Sequence, residues 1–134
     1  MPELTTPPEE NRKRKVLCIE DEFFITELYL RALTRAGYDV TTVLNGLDGL
    51  QVAQTNKYDV VLLDLMVPEL TGIEILRTLR DENRSPGFKS KVVITTNLDQ
   101  EDATRSEIEA QADGYLIKAN ITPKELVAFV DKLF

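Results

Sequence analysis

Residues 60–72 read VVLLDLMVPELTG, and this stretch decides the fold class of the chain. The four apolar residues at 60–63 show no polar alternation, which predicts a strand buried on both faces, as in a parallel sheet. Pro68 cannot extend a strand ladder, and Gly72 then opens an amphipathic helix. We therefore expect Asp64 at the carboxyl end of a buried parallel strand, which is where open α/β sheets bind ligands.

Five apolar segments alternate with five helical patterns along the rest of the chain. The strands are predicted at residues 15–19, 38–44, 60–64, 92–96 and 114–118. The helices are predicted at about residues 25–36, 46–56, 72–81, 99–112 and 123–133. This alternation predicts an α/β fold, a doubly wound parallel sheet with right-handed crossovers and its second strand at an edge.

Each of the five helices carries a further prediction. Gly46 and Gly49 should weaken the second helix, because glycine is a poor helix former. The fourth helix has Ile108 as its only large apolar residue, so it should bury little and be mobile. Thr122 and Glu125 should form a capping box at the start of the last helix. Inward faces are expected for residues 25, 28, 29, 32, 33 and 36 of the first helix and for residues 73, 76 and 79 of the third.

The size and composition indicate one domain. The chain has 134 residues, of which 43% are hydrophobic and 29% charged, as in ordinary globular proteins. Residues 1–14 contain three prolines and no aromatic residue, so we predict a disordered tail there and one domain over residues 15–134. The basic cluster from Arg12 to Lys15 is expected to be solvated, and a docking arm is the alternative.

Charge and residue usage exclude several function classes. The net charge of −7 argues against binding nucleic acid through bulk charge and favours cationic partners. The absence of histidine removes histidine catalysis and histidine-ligated zinc. A single cysteine permits no internal disulfide, and Cys18 within the first strand is expected to be buried and inert. This cysteine usage predicts a reducing, cytoplasmic compartment, and with no apolar run long enough to span a bilayer we expect no membrane partner.

Acidic and polar side chains gather where the predicted strands end. Glu20 and Asp21 follow the first strand, Asp64 ends the third, Thr96 ends the fourth and Lys118 ends the fifth. Clustered carboxylates repel one another, and a Mg²⁺ ion with oxygen ligands would relieve that repulsion. A lysine and a hydroxyl nearby would suit a phosphoryl group, and an aspartate can accept one. The residues alone thus predict Mg²⁺-assisted phosphorylation of Asp64.

Four segments together resemble the receiver domain of response regulators, the phospho-acceptor half of two-component signalling. They are VLCIEDE at 16–22, YDVVLLDLMVPELTG at 58–72, VVITTN at 92–97 and ADGYLIK at 112–118. Each is weak alone, but their order and spacing make the resemblance specific, and it covers about residues 15–134. The resemblance implies a flavodoxin-like strand order of 2-1-3-4-5.

The resemblance also implies a role for individual acids. Asp64 resembles the phosphorylated aspartate. Glu20 and Asp21 resemble the acidic pair that holds Mg²⁺, with Asp21 as the direct ligand and Glu20 acting through water. The backbone carbonyl of Met66 resembles a third protein ligand. Without a metal, Glu20 and Asp21 would merely cap the first helix, and Asp64 would be a strand-end cap.

Three further residues resemble the switch of the family. Thr96 resembles the hydroxyl that moves toward the phosphoryl group, Lys118 the lysine that pairs with it, and Tyr115 an aromatic residue whose ring turns inward on activation. Thr95 is the alternative to Thr96, since a slip of one residue turns a side chain to the other face. Lys118 could instead be a solvated strand end, and Tyr115 an ordinary core residue.

The chain departs from the family pattern at four positions. Ala119 stands where a cis-proline is usual, and because a non-proline cis bond costs about 3 kcal/mol we predict a trans bond after Lys118. Asn97 replaces a small residue and should narrow access to the phosphoryl site. Met66 and Leu98 lie beside the position of the hydrolytic water, and neither can orient it, so we predict slow loss of the phosphoryl group.

The resulting functional hypothesis is a single-domain receiver. A histidine kinase or histidine phosphotransfer protein would phosphorylate Asp64, and the face from the fourth strand to the fifth helix would signal to a protein effector. Because nothing follows residue 134, we expect no encoded output domain and no nucleic-acid partner. The protein would be a monomer or a weak dimer through that face, and no enzyme beyond its own phosphotransfer and autodephosphorylation.

Two alternatives remain. One is a pseudo-receiver that binds partners without being phosphorylated, which Ala119 favours weakly. The other is an aspartate-based phosphatase, but such enzymes need a second acid two residues after the nucleophile, and Met66 occupies that position.

Overall fold

The computed structural model describes residues 12–134, which form five strands and five α-helices. The strands are β1 (Lys15–Ile19), β2 (Asp39–Val43), β3 (Val60–Asp64), β4 (Lys91–Thr96) and β5 (Gly114–Ile117). The helices are α1 (Phe23–Arg35), α2 (Gly46–Ala53), α3 (Gly72–Arg80), α4 (Asp102–Gln111) and α5 (Pro123–Asp131). Lys118 was predicted to end β5, but it begins a short 3₁₀ turn, Lys118–Asn120, directly after that strand.

The strands form one parallel sheet in the order β2-β1-β3-β4-β5. This order confirms the predicted flavodoxin-like fold and places β2 at an edge. The direction in which strands are added to the sheet reverses between the neighbours β1 and β3, since β2 lies on the outer side of β1 whereas β4 and β5 follow β3 toward the other edge. A crevice lies outside the carboxyl ends of the strands at such a switch point, so the loops after β1, β3 and β4 meet there.

Two apolar layers sandwich the sheet. One layer joins alternate residues of β1, β3 and β4 to α2, α3 and α4, with Leu63, Leu76 and Ile108 at its centre. The other joins the remaining strand residues to α1 and α5, with Leu33, Leu62 and Leu126 at its centre. Every residue of β3 is buried, as the unbroken apolar run predicts.

Helix ends follow local sequence signals. The predicted capping box of α5 is confirmed, with Thr122 and Glu125 bonded to each other's backbone and Pro123 in the first turn. Thr71 and Glu74 form a second box at the start of α3. Gly37 follows the end of α1 with a φ of +97°, which glycine adopts without a steric penalty.

The predicted inward faces of α1 and α3 were partly wrong. Leu28 is 49% exposed and Ala36 is also exposed, whereas Thr26 is buried and donates its hydroxyl to the carbonyl of Glu20. In α3, Ile75 is buried and Ile73 only partly so. A 3.6-residue period fixes the width of an apolar stripe only loosely, and the neighbouring elements decide how each helix is rotated.

Helices α2 and α4 are shorter than predicted, and the residues beyond their ends make other contacts. Helix α2 ends at Ala53, and Asn56 then adopts a φ of +59° while its amide donates to the carbonyl of Gly87. Helix α4 begins at Asp102 rather than Asp99. The side chain of Asp99 instead contacts Tyr115 and Arg105, which holds residues 99–101 in the loop.

The glycines of α2 have a packing role that the sequence did not predict. A Cβ atom on Gly46 would lie 2.0 Å from the carbonyl oxygen of Leu70, and one on Gly49 would lie 2.7 Å from the side chain of Ile19. Whatever they cost in helix propensity, these glycines let α2 approach β1 and the loop after β3 closely.

The amino-terminal segment is described from Arg12 onward. The guanidinium of Arg12 pairs with Asp59 at 3.1 Å, so this part of the basic cluster is bonded to the domain. Of the tail predicted at residues 1–14, positions 1–11 lie outside the described residues. None of the helices formed by residues 12–134 has the length and apolar composition needed to cross a bilayer.

Candidate functional site

Asp64 lies at the carboxyl end of β3 and is only 2% exposed. Its Oδ1 atom accepts the backbone N–H of Met66 at 3.1 Å, and its Oδ2 atom lies 3.2 Å from Nζ of Lys118. The ammonium of Lys118 is also buried, so the two opposite charges compensate each other's removal from water. The structure therefore places the predicted acceptor and the predicted lysine together.

Lys118 also forms an ion pair with Glu20, which is equally buried. Burial raises the pKa of Glu20, and the neighbouring Asp64 raises it further against the opposing effect of Lys118. Burial would lower the pKa of Lys118, but the carboxylates of Glu20 and Asp64 outweigh burial and raise it. The ammonium group thus remains charged between two carboxylates.

Glu20, Asp21 and Asp64 each offer a carboxylate oxygen within 4.8 Å of the others. Only Asp21 is exposed, and one lysine cannot neutralise three acids. Apart from its ion pair with Lys118, Oε1 of Glu20 has no hydrogen-bond donor among the described residues. Hard oxygen donors with an excess of negative charge suit a magnesium ion, so this donor set fits the metal that the sequence predicts.

Thr96 ends β4 and is buried, but the described hydrogen bonds of its hydroxyl stay within the loop after β4. Its Oγ1 donates to the carbonyl of Leu98 at 2.8 Å and accepts from Nε2 of Gln100 at 3.4 Å. In the sheet register Asp64 pairs with Thr95, so side-chain alternation gives Thr95 the same face as Asp64. The role of Thr96 therefore stays a prediction.

Tyr115 lies in β5 and packs partly buried against the core layer of α3 and α4. Its hydroxyl donates to Asp99 at 2.9 Å and accepts the backbone N–H of Gln100 at 2.9 Å. The guanidinium of Arg105 lies 4.8 Å from the centre of its ring. The hydroxyl is thus fixed to the loop after β4, and the proposed rotation of the ring is untested.

Glu22 is a fourth acid at the site, and no sequence motif assigns it a role. Its Oε1 atom accepts from Nδ2 of Asn97 at 2.9 Å and lies 4.0 Å from Nζ of Lys118. The bond joins the loop after β1 to the loop after β4, and the narrower access to the phosphoryl site expected from Asn97 stays a prediction. Its partner could not be read from a local pattern, because the two residues are 75 positions apart.

Two exposed apolar side chains flank the site. Met66 is 71% exposed and Leu98 is 75% exposed, in the loops after β3 and β4. Neither carries a group that could orient a water molecule. The bond between Lys118 and Ala119 is trans, as predicted, since no peptide bond in residues 12–134 is cis.

The fold and the acidic cleft define the class as a flavodoxin-like α/β protein with a charged site at its switch point. The family model described as the response regulator receiver domain matches residues 16–131. The chain belongs to this family, and it is thus the receiver domain of a two-component response regulator.

A curated protein is similar to this chain over most of the chain's length. The transcriptional regulatory protein PhoP of Bacillus subtilis, which governs alkaline phosphatase synthesis, is 35% identical over 117 residues, covering 87% of this chain and 47% of PhoP. The chain therefore spans about half the length of this curated relative.

Solved structures are also similar. The chemotaxis protein CheY4 of Vibrio cholerae has a TM-score of 0.77 at 26% identity, covering 92% of this chain and 100% of that one. The BeF₃-activated receiver domain of Klebsiella pneumoniae RstA has a TM-score of 0.75 at 27% identity, covering 88% and 96%.

Proposed function

We propose that Asp64 accepts a phosphoryl group from a histidine kinase or a histidine phosphotransfer protein. A carboxylate oxygen of Asp64 would attack phosphorus while the P–N bond to the donor imidazole breaks, its electron pair returning to the ring nitrogen. The observation that carries this proposal is the buried Asp64 carboxylate, 3.2 Å from Lys118 and clustered with two further acids at the carboxyl edge of the sheet.

The remaining site residues would hold the incoming group. Asp21, Asp64 and the backbone carbonyl of Met66 would bind Mg²⁺ directly, with Glu20 acting through water, as the resemblance implies. A bound Mg²⁺ ion would supply positive charge that neutralises phosphoryl oxygens. Lys118 would pair with the same oxygens, which requires only that its ammonium exchange one of its two carboxylate partners for a phosphoryl oxygen.

The signal would then pass through the loop after β4. A phosphoryl group on Asp64 offers the Thr96 hydroxyl a charged acceptor in place of the carbonyl of Leu98. Tyr115 would follow, and the face from β4 to α5 would present a changed surface to a protein effector. PhoP is a transcriptional regulatory protein of about twice this length, so the output of the whole protein is part of this proposal.

The direct test is the intact mass of the protein after incubation with acetyl phosphate and Mg²⁺. Acetyl phosphate would lose acetate as its phosphoryl group forms a bond to Asp64. We expect one added phosphoryl group in the wild type and none in Asp64→Ala or in the closer isostere Asp64→Asn. Titration with BeF₃⁻ in the presence of Mg²⁺ provides a second assay that needs no covalent step. BeF₃⁻ is the reagent that activates the receiver domain of RstA.

A phosphorylation-independent binding module is the competing function. The bond between Glu22 and Asn97 across the entrance and the trans bond before Ala119 both favour it. Folded wild-type protein that neither gains mass nor binds BeF₃⁻ would establish this alternative and reject phosphorylation of Asp64.

A further inference from the structure

Thr96 and Tyr115 share one neighbour, Gln100, in the loop between β4 and α4. The backbone N–H of Gln100 donates to the Tyr115 hydroxyl at 2.9 Å. Its side-chain amide donates to the carbonyl of Leu98 at 2.9 Å and reaches Oγ1 of Thr96 at 3.4 Å. Gln100 thus contacts both hydroxyls that the proposed switch uses.

The carbonyl of Leu98 strengthens this connection. It accepts the Thr96 hydroxyl at 2.8 Å as well as the amide of Gln100. The donors and acceptors are mutually consistent, because an amide nitrogen has two hydrogens and a carbonyl oxygen has two lone pairs. Thr96 and Gln100 therefore hold the same loop conformation together, and moving either group costs the other a partner.

Tyr115 has further contacts that hold it beside the loop and α4. Asp99 accepts the Tyr115 hydroxyl and also pairs with Arg105 at 2.7 Å. Arg105 in turn lies 4.8 Å from the centre of the Tyr115 ring and pairs with Glu109 in α4. Tyr115 is therefore bonded to the loop through Gln100 and connected to α4 through Asp99 and Arg105.

We propose that Gln100 is a positioning residue that couples the Thr96 and Tyr115 hydroxyls and holds both in the unphosphorylated arrangement. This inference rests on the proposed function, since it assigns a regulator to the same site. When Thr96 turns toward a phosphoryl group, it leaves the carbonyl of Leu98 and the amide of Gln100. The loop then loses the bonds that hold the backbone N–H of Gln100 in place beside the Tyr115 hydroxyl. The movement of Thr96 therefore also frees Tyr115 from the loop.

The coupling has a thermodynamic consequence. Bonds that exist only in the unphosphorylated arrangement lower the population of the active one, and the apparent affinity for an activating ligand falls by that fraction. Removing the Gln100 side chain should therefore raise the apparent affinity for a phosphoryl mimic. A residue that merely stabilised the loop in both arrangements would leave this affinity unchanged.

The test is a titration with BeF₃⁻ at saturating Mg²⁺. Binding is monitored by NMR of protein with labelled tyrosines. Gln100→Ala and Tyr115→Phe should each bind about fivefold more tightly than the wild type, the size expected from losing one or two neutral hydrogen bonds. The double variant should gain less than the product of the two single effects, because both changes break one network. Gln51→Ala, at an exposed glutamine in α2, is the matched control and should bind like the wild type.

A second readout separates coupling from loosened packing. In unligated Gln100→Ala, the ring resonance of Tyr115, assigned with Tyr115→Phe, should shift toward its position in the BeF₃⁻ complex of the wild type. Unchanged or weaker BeF₃⁻ binding by Gln100→Ala would overturn the proposal, as would fully multiplicative effects in the double variant. A wild type that binds no BeF₃⁻ would instead reject the proposed function, and this inference with it.

Discussion

At the residue scale, Met66 and Leu98 border the proposed acceptor with side chains that cannot hold a hydrolytic water. Both are largely exposed, so their replacement should not disturb the core. If Asp64 is phosphorylated as proposed, the lifetime of the phosphoryl group would depend on these two surface positions.

We expect slow autodephosphorylation, with no loss of the phosphoryl group within seconds, and an about tenfold faster loss in Met66→Asn, because an amide can orient water toward phosphorus. The mass of the phosphorylated protein over time measures both rates. Met66→Leu keeps the site apolar and should decay like the wild type. Decay of the wild type within seconds would contradict this account.

Asp59 provides a second residue-scale prediction, concerning stability against pH. Burial would raise the pKa of Asp59, but the backbone N–H of Lys15 at 2.8 Å and the guanidinium of Arg12 outweigh it, and the pKa is lowered. A lowered pKa in the folded state contributes stability above the ordinary aspartate pKa, and this contribution disappears as the pH falls through the folded-state value.

Asp59→Asn should therefore lower the free energy of unfolding at pH 7 by about 1 kcal/mol. The difference from the wild type should shrink below about pH 4, where free aspartate protonates. Urea unfolding at a series of pH values measures it. Asp39→Asn, at an exposed aspartate with no described side-chain partner, is the control. A difference that stays constant into acid would show that the charge of Asp59 has no role.

At the scale of elements, the start of α3 is pressed against the end of β3. A Cβ atom on Gly72 would lie 2.5 Å from the carbonyl oxygen of Asp64 and 2.6 Å from Cα of Leu65. The N–H of Gly72 also donates to the carbonyl of Leu65 at 3.0 Å. The absence of a side chain at this one position thus lets a helix begin beside the proposed acceptor.

Gly72→Ala should lower the free energy of unfolding by about 1–3 kcal/mol, because backbone atoms must shift to admit the methyl group. Helix propensity alone predicts the opposite sign, a gain of up to about 1 kcal/mol. Chemical denaturation distinguishes the two. The variant should also bind BeF₃⁻ more weakly, since the backbone that must move carries Asp64. A variant as stable as the wild type would refute the close approach.

At the scale of the whole molecule, stability is unevenly distributed. Helix α4 buries only Ile108, as the sequence predicted, whereas the similarly short α5 buries Leu126 and Val130. The ion pair between Arg77 and Glu107, which links α3 to α4, is exposed, so solvent screens it and it adds little to the stability of α4. Helix α4 should therefore open more readily than its neighbours.

Native-state hydrogen exchange should show faster exchange for the amides of residues 102–111 than for those of α3, α5 or β3. Helix α3, with its capping box and buried Ile75, Leu76 and Leu79, is the internal control. Equal protection in α3 and α4 would show that the predicted mobility of α4 is wrong. The same experiment in BeF₃⁻ and Mg²⁺ would show whether the proposed switch changes this helix.

The sequence alone determined the layout of the domain. The unbroken apolar run of β3 and the helical periods between strands encode a parallel sheet, because burial on both faces and a 3.6-residue repeat are local patterns. The carboxyl ends of parallel strands share one edge, so Asp64, Glu20 and Lys118 could be expected together without any coordinates. The structure confirms this proximity, because Lys118 forms ion pairs with both Glu20 and Asp64.

Only the tertiary structure determined how the helices are rotated and which distant residues come into contact. The rotation of α1 exposes Leu28 and buries Thr26, and the close approach of α2 and α3 gives Gly46 and Gly72 their roles. The bond from Asn97 to Glu22 and the contacts of Gln100 depend on loops meeting at the sheet edge. A hydrogen bond needs two atoms within about 3 Å, and for side chains far apart in sequence that distance is set by how the elements pack.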